Sequence, residues 1–156
     1  RRRLQAMAGP HIRFLGRCPD REVNGWLERC RAYVYAGLED FGIAPLEAMA
    51  AGAPVIAYGA GGLCDSVRCL ASGDLHPTGL LFPEQSAASL AAALEQFEAR
   101  WLWRQLPPEG QRLWAASFSP ERFEQRLLPL LETLWDRHQR DLKRRRSPLP
   151  QPVPLD

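Results

Sequence analysis

No two cysteines stand at C-x-x-C spacing. Cys18, Cys30, Cys64 and Cys69 are scattered, and His11, His76 and His138 fall at no zinc-like offset from them. Disulfide frameworks and structural zinc sites use tighter spacing, so the thiols read as a reduced set, as in the cytoplasm. No apolar run approaches the ~20 residues of a membrane span, and no apolar h-region follows the basic start "RRR". Neither a span nor a signal peptide is expected. Lysine is almost absent, with Lys143 alone. The formal net charge is only +2, which argues against nucleic acid as a partner. The glycines of "GAGG" miss the G-x-G-x-x-G spacing of a dinucleotide fingerprint. Internal repeats are absent as well.

What remains is an ordinary globular composition, 46% hydrophobic and 24% charged, with enough chain for one full core and too little for two large ones. Short apolar runs alternate with helical patterns. "RRRLQAMA" reads as the end of a helix closed by Gly9-Pro10, and "HIRFLG" as a short strand. "PDREVNGWLERC" reads as a helix with Asp20 as its N-cap. "AYVYA" is a buried strand, "APLEAMAAG" a helix with Pro45 at its first position and Gly52 just past its end, and "PVIAY" the next strand. "GLCDSVRCL" is a short helix that Asp65 would cap, and "TGLLF" a further strand. Ser86 and the Ser119-Pro120 pair open two strong helices, the second with a bend expected at Pro129. Trp101, Trp103 and Trp114, at helical spacing, read as core. Such alternation predicts βα units: an α/β, Rossmann-like parallel sheet with helices on both faces. The domain is expected over residues 1–140, with a basic, proline-rich and disordered tail over 141–156. "KRRR" at 143–146 reads two ways, as a solvated helix end at the negative dipole pole or as a peripheral contact with an anionic membrane.

The stretch "EDFGIAPLEAMAAGAPVIAYGAGG", residues 39–62, puts one carboxylate before a helix start and another just inside it. In open α/β sheets ligands bind outside the carboxyl ends of the strands. A helix N-terminus there offers free N–H groups to a phosphate, and Gly42 lets the backbone come close. A diphosphate suits the N–H groups around Phe41, Gly42 and Ile43. Glu39 and Glu47 are poor neighbours for phosphate and match vicinal diols instead, a ribose at Glu47 and a sugar at Glu39. An acid near a helix start is equally what a dipole contribution of ~0.3–1 kcal/mol would place there. Spacing alone leaves both readings open.

The same stretch resembles the E-x₇-E signature of retaining glycosyltransferases of family 4, which have the two-domain GT-B architecture. Glu39, Phe41, Gly42, Glu47, Ala48, Met49, Ala50, Gly52, Pro54 and Val55 match it. "FLGRCPDREVNGWLERCRAYVY" and "TGLLFPEQSAASLAAALEQF" resemble two further segments of that family, and the variant is most similar to bacterial mannosyltransferase-type members. The resemblance implies that Glu47 holds the ribose hydroxyls and that Glu39 acts on the donor sugar as the catalytic carboxylate. It also implies that Phe41, Gly42 and Ile43 touch sugar and diphosphate, and that Gly16 and Arg17 lie beside the nucleobase. The donor would be a nucleoside-diphosphate hexose, with mannose one candidate, used with no cofactor. No metal is expected, since no D-x-D triplet occurs.

The departures carry weight too. The family's upstream Arg and Lys, its first strand with a glycine-rich turn and its N-terminal acceptor domain have no counterpart here. The chain thus resembles the C-terminal half of a GT-B fold with its first strand missing, and the acceptor domain is its expected partner. Two functions follow: the donor-binding portion of a retaining hexosyltransferase, cytoplasmic or peripheral at the inner membrane face, or a non-catalytic nucleotide-binding or assembly module.

Overall fold

Three short apolar runs become the strands of one parallel sheet. In the computed structural model, which describes residues 2–146, they are β1 (Tyr33–Tyr35), β2 (Val55–Tyr58) and β3 (Gly79–Phe82), in the order β1-β2-β3. Tyr33 is in register with Val55, Ile56 with Leu80 and Tyr58 with Phe82. Parallel neighbours require crossovers, and helices supply them. In chain order the helices are α1 (Arg2–Met7), α2 (Asp20–Arg29), α3 (Ile43–Ala51), α4 (Leu63–Ser66), α5 (Ala87–Ala99), α6 (Pro108–Ala115) and α7 (Pro120–Arg146). All three strands therefore end at the same edge of the sheet.

Side chains alternate across a strand, and the core follows that alternation. Ile56, Leu80 and Phe82 point to one face, where Ala93 and Phe97 of α5 meet them together with Leu102 and Leu106. Val55 and Ala57 turn to the other face and are fully buried, toward α3 and Val67. On that side α3 packs along α6, and Arg112 of α6 donates to the carbonyl of Ala51 at 3.0 Å, satisfying an orphan acceptor at the end of α3.

Local signals set several boundaries. Ser86 caps α5, its hydroxyl accepting the N–H of Ser89 at 3.1 Å, while Ser89 Oγ accepts the N–H of Glu84. Ser86→Ala should lower the unfolding free energy by about 1 kcal/mol, as read from a urea melt. Gly52 ends α3 at φ 101°, a left-handed conformation in which its N–H bonds back to the helix.

Other expectations fail for stated reasons. "HIRFLG" is not a strand: residues 11–16 find no neighbouring strand among the described residues, and a strand exists only by pairing. Asp20 does not cap α2; it is the first helical residue, after Pro19. Asp65 caps nothing, because it already lies inside the first turn of α4. Pro45 is the third residue of α3, not the first, and costs no bond there since the first intrahelical N–H is that of Leu46. Trp101 is no core residue, being 54% exposed at a left-handed φ of 52° after α5. Trp114 is half-buried and is held by a bond from its indole N–H to the carbonyl of Ser66 at 2.7 Å.

The chain divides into two compact units, Arg1–Ala115 and Ala116–Asp156. Residues 141–146, expected in the tail, are the last turns of α7. The proline-rich part of the expected tail lies outside the described residues.

Candidate functional site

The carboxyl edge of the sheet at β1 opens into a cleft of about 430 Å³. It is lined by Tyr35, Glu39, Asp40, Phe41, Gly42, Ile43, Ala44, Pro45 and Glu47. Sequence residues eight apart meet here because the loop 36–42 turns back onto the start of α3. Gly42, the N-cap, makes that turn at φ 87°, ψ 59°. A side chain there would be strained, and its Cβ would stand 2.5 Å from Cδ2 of the buried Leu63. The N–H groups of Ile43 and Ala44 precede the first intrahelical bond, from Leu46 to the Gly42 carbonyl, and so point out of the helix start.

A second loop buttresses the first. The N–H of Gly62 donates to the Glu39 carbonyl at 2.8 Å. A Cβ on Gly61 would lie 2.3 Å from that same carbonyl oxygen, and one on Gly62 2.1 Å from the Asp40 carbonyl oxygen. The "GAGG" glycines thus let two backbones touch and fix the carboxylate loop from behind. On the other side, the Gln85 amide donates to the Ala36 carbonyl at 2.9 Å, tying the end of β1 to the loop after β3.

Two tyrosines complete the site. Tyr33 and Tyr35 are two apart on β1, so they share a face, with rings stacked at 6.4 Å between centroids. The Tyr35 hydroxyl donates to Glu39 Oε1. That bond, with lesser help from desolvation and nearby charge, raises the Tyr35 phenol above its ordinary titration range. Tyr33 is raised too, by burial first and then by the charges of Glu47 and Glu39. One phenol thus feels both glutamates. A raised acid leaves its stabilising effect intact below the unfolded-state value of ~10 and loses it as pH rises through the folded value. Glu39→Ala should bring the Tyr35 titration down toward the ordinary range, as a phenolate absorbance titration against Tyr35→Phe would show.

The sequence reading missed both tyrosines, although the alternation in "YVY" at the end of a parallel strand is a usable signal. It also did not assign Gly61 and Gly62 their packing role. Glu39, Phe41, Gly42, Ile43 and Glu47 come together in the one cleft. Gly16 lines a different depression, with Leu4, Arg13, Phe14 and Leu15, and Arg17 follows it in the chain. Electrostatically the cleft is acidic: Glu39, Asp40 and Glu47 line it and, among the described residues, no basic side chain does. No group of three or more His, Cys, Asp or Glu side chains among the described residues could hold a metal ion.

Comparison with known proteins bears on this geometry. A family described as glycosyl transferases group 1 matches residues 1–107. The chain is 32% identical to the human alpha-1,3/1,6-mannosyltransferase over 125 residues, covering 79% of the chain and 28% of that protein. It is 54% identical over 48 residues to a phosphatidyl-myo-inositol mannosyltransferase of Propionibacterium freudenreichii subsp. shermanii, which is 30% of the chain and 13% of that protein. Among solved structures it is similar to the sucrose-phosphate synthase of Thermosynechococcus elongatus, with a TM-score of 0.68 and 27% identity over 86% of the chain and 34% of that structure. The chain spans less than a third of the length of the curated relatives it matches. With a parallel sheet, helices on both faces and a cleft at the carboxyl edge, it belongs to the group 1 glycosyltransferases and has the Rossmann-like architecture of the carboxyl-terminal half of the GT-B fold.

Proposed function

We propose that this chain is the donor-binding portion of a retaining glycosyltransferase that moves a hexose from a nucleoside-diphosphate sugar to an acceptor hydroxyl. The observation that carries the reading is the convergence of Glu39 and Glu47 on one cleft around a left-handed Gly42 at a helix start. The outward N–H groups at Ile43 and Ala44 suit the diphosphate. Glu47, one turn further, suits the ribose diol. Glu39, held by Tyr35, suits the hexose and the positive charge that builds at its anomeric carbon. Gly16 and Arg17 are assigned to the nucleobase by resemblance. Mannose is the hexose favoured, because both curated relatives are named mannosyltransferases. The leaving diphosphate is taken to be stabilised without a metal. An N-terminal domain is expected to bring the acceptor and the cations that this acidic cleft lacks, with the reaction placed in the cytoplasm. Among the described residues no helix is long and apolar enough to cross a membrane.

A second reading is favoured by the acidic lining itself: with no cation beside the diphosphate position, the chain would be a non-catalytic nucleotide-binding or assembly module. A thermal-shift panel of uridine, guanosine and adenosine diphosphates separates binding from its absence. A ligand at 100 times its dissociation constant should stabilise the chain by ~2.7 kcal/mol. No shift with any of the three would end both nucleotide readings. A shift for one base, together with sugar transfer by a longer protein that includes this chain, supports the enzyme.

A further inference from the structure

Glu39 is anchored at both its backbone and its side chain. Its carbonyl accepts the N–H of Gly62 at 2.8 Å, and its Oε1 accepts the Tyr35 hydroxyl. The loop it stands on is tied at its start as well, where the Gln85 amide donates to the Ala36 carbonyl at 2.9 Å. Glu39 is nevertheless exposed, and an unheld glutamate on a surface loop spreads over many rotamers. The phenol narrows that spread to the conformers whose Oε1 meets its hydroxyl. It occupies one acceptor position of Oε1 and leaves Oε2 to a ligand.

Gly37 seats the tyrosine. It stands between Tyr35 and Glu39 in the chain, and a Cβ there would come within 2.8 Å of both Cε1 and the hydroxyl oxygen of Tyr35, and within 2.9 Å of Cζ. The tip of the ring thus lies against a backbone that carries no side chain. An alanine at 37 would push that tip aside, because a ring turns about its χ angles more readily than backbone shifts. Tyr33 stacks on the same ring, with 14° between the planes. We propose that Tyr35, seated on Gly37, is a positioning residue that holds the Glu39 carboxylate in its working orientation before the donor arrives. The inference rests on the reading of Glu39 as the carboxylate that faces the hexose. Tyr35 itself touches no reacting atom; it acts through Glu39. A carboxylate already oriented loses no rotamer freedom on the way to the transition state, so the gain falls on turnover and not on donor affinity. The bond to Glu39 also raises the titration of the phenol, so the hydroxyl stays a donor throughout the neutral pH range.

The test is steady-state kinetics on a longer protein that includes this chain, with Glu39→Ala, Tyr35→Phe and the two combined. Glu39→Ala should lower kcat. Tyr35→Phe keeps the ring and removes only the hydroxyl; it should lower kcat about tenfold and leave KM within about twofold. Added to Glu39→Ala it should cost nothing further, because nothing is left to position. Gly37→Ala reaches the same bond from the other side. It should lower kcat as Tyr35→Phe does, and in this chain alone it should bring the Tyr35 phenol back toward its ordinary range in an absorbance titration, with the urea midpoint little changed. A Tyr35→Phe enzyme with wild-type kcat, beside a slow Glu39→Ala enzyme, would overturn the positioning role and leave the donor-site reading standing. Losses that add in the combined variant would overturn it too, since Tyr35 would then act independently of Glu39. Wild-type kcat in Glu39→Ala would overturn both readings at once.

Discussion

Gly62→Ala should lower the stability of the chain by about 3 kcal/mol, at the upper end of what overpacking costs, and should abolish the proposed nucleotide binding with it. Gly62 has φ −63°, a conformation alanine adopts freely, so the loss is purely steric. The added Cβ would lie 2.1 Å from the Asp40 carbonyl oxygen, 2.5 Å from its carbon and 2.7 Å from Phe41 Cα. All three are backbone atoms, and no side-chain rotation relieves them. Either the 59–62 loop or the carboxylate loop must move, and with it the bond from Gly62 N–H to the Glu39 carbonyl. Gly73→Ala makes the control. Gly73 has φ 73°, but an added methyl there would meet nothing within 4 Å, so it should cost only the conformational ~1–2 kcal/mol and leave nucleotide binding intact. Urea melts of the two variants, with a nucleotide titration of each, check the contrast. A Gly62→Ala chain with wild-type stability would mean that the two loops do not touch.

On the proposed function, Glu47→Ala, made in a longer protein that includes this chain, should weaken nucleoside diphosphate and donor sugar alike by about ten- to a hundredfold, because the ribose is common to both. That range corresponds to ~1.5–3 kcal/mol for a charged hydrogen-bonded contact. Glu39→Ala should leave nucleoside diphosphate affinity almost unchanged and instead lower turnover. Its proposed partner is the hexose, and a carboxylate beside the anomeric carbon would act chiefly in the transition state. If both acids were only helix-start charges, each variant would lose a few tenths of a kcal/mol of stability and neither would change affinity. Calorimetric titration with nucleoside diphosphate decides between these outcomes, and equal affinity of wild type and Glu47→Ala would sink the ribose assignment.

Some of this was settled by the chain locally. "AYVYA", "PVIAY" and "TGLLF" announce parallel strands because a short β-branched and apolar run between helical patterns has few other homes, but the burial expected of "AYVYA" is not met: β1 is an edge strand with Val34 exposed. Ser86 and Gly52 mark helix ends through bonds to their own neighbours. Glu39, Phe41, Gly42, Ile43 and Glu47 could be named together because they are close in sequence and flank one helix start. The rest needed the tertiary structure. "HIRFLG" has strand composition, but strand formation depends on a partner that lies elsewhere in space. α3 begins at Ile43 rather than Pro45 because Gly42 turns left-handed against Leu63, twenty-one residues on. The grip of Tyr35 on Glu39 and the backbone contact of Gly61 and Gly62 with the carboxylate loop arise only when the loops after β1 and β2 meet at the same sheet edge. Helix caps and strand composition act over a few residues and can be read along the chain; the orientation of two carboxylates depends on loop-to-loop packing, which the sheet alone decides.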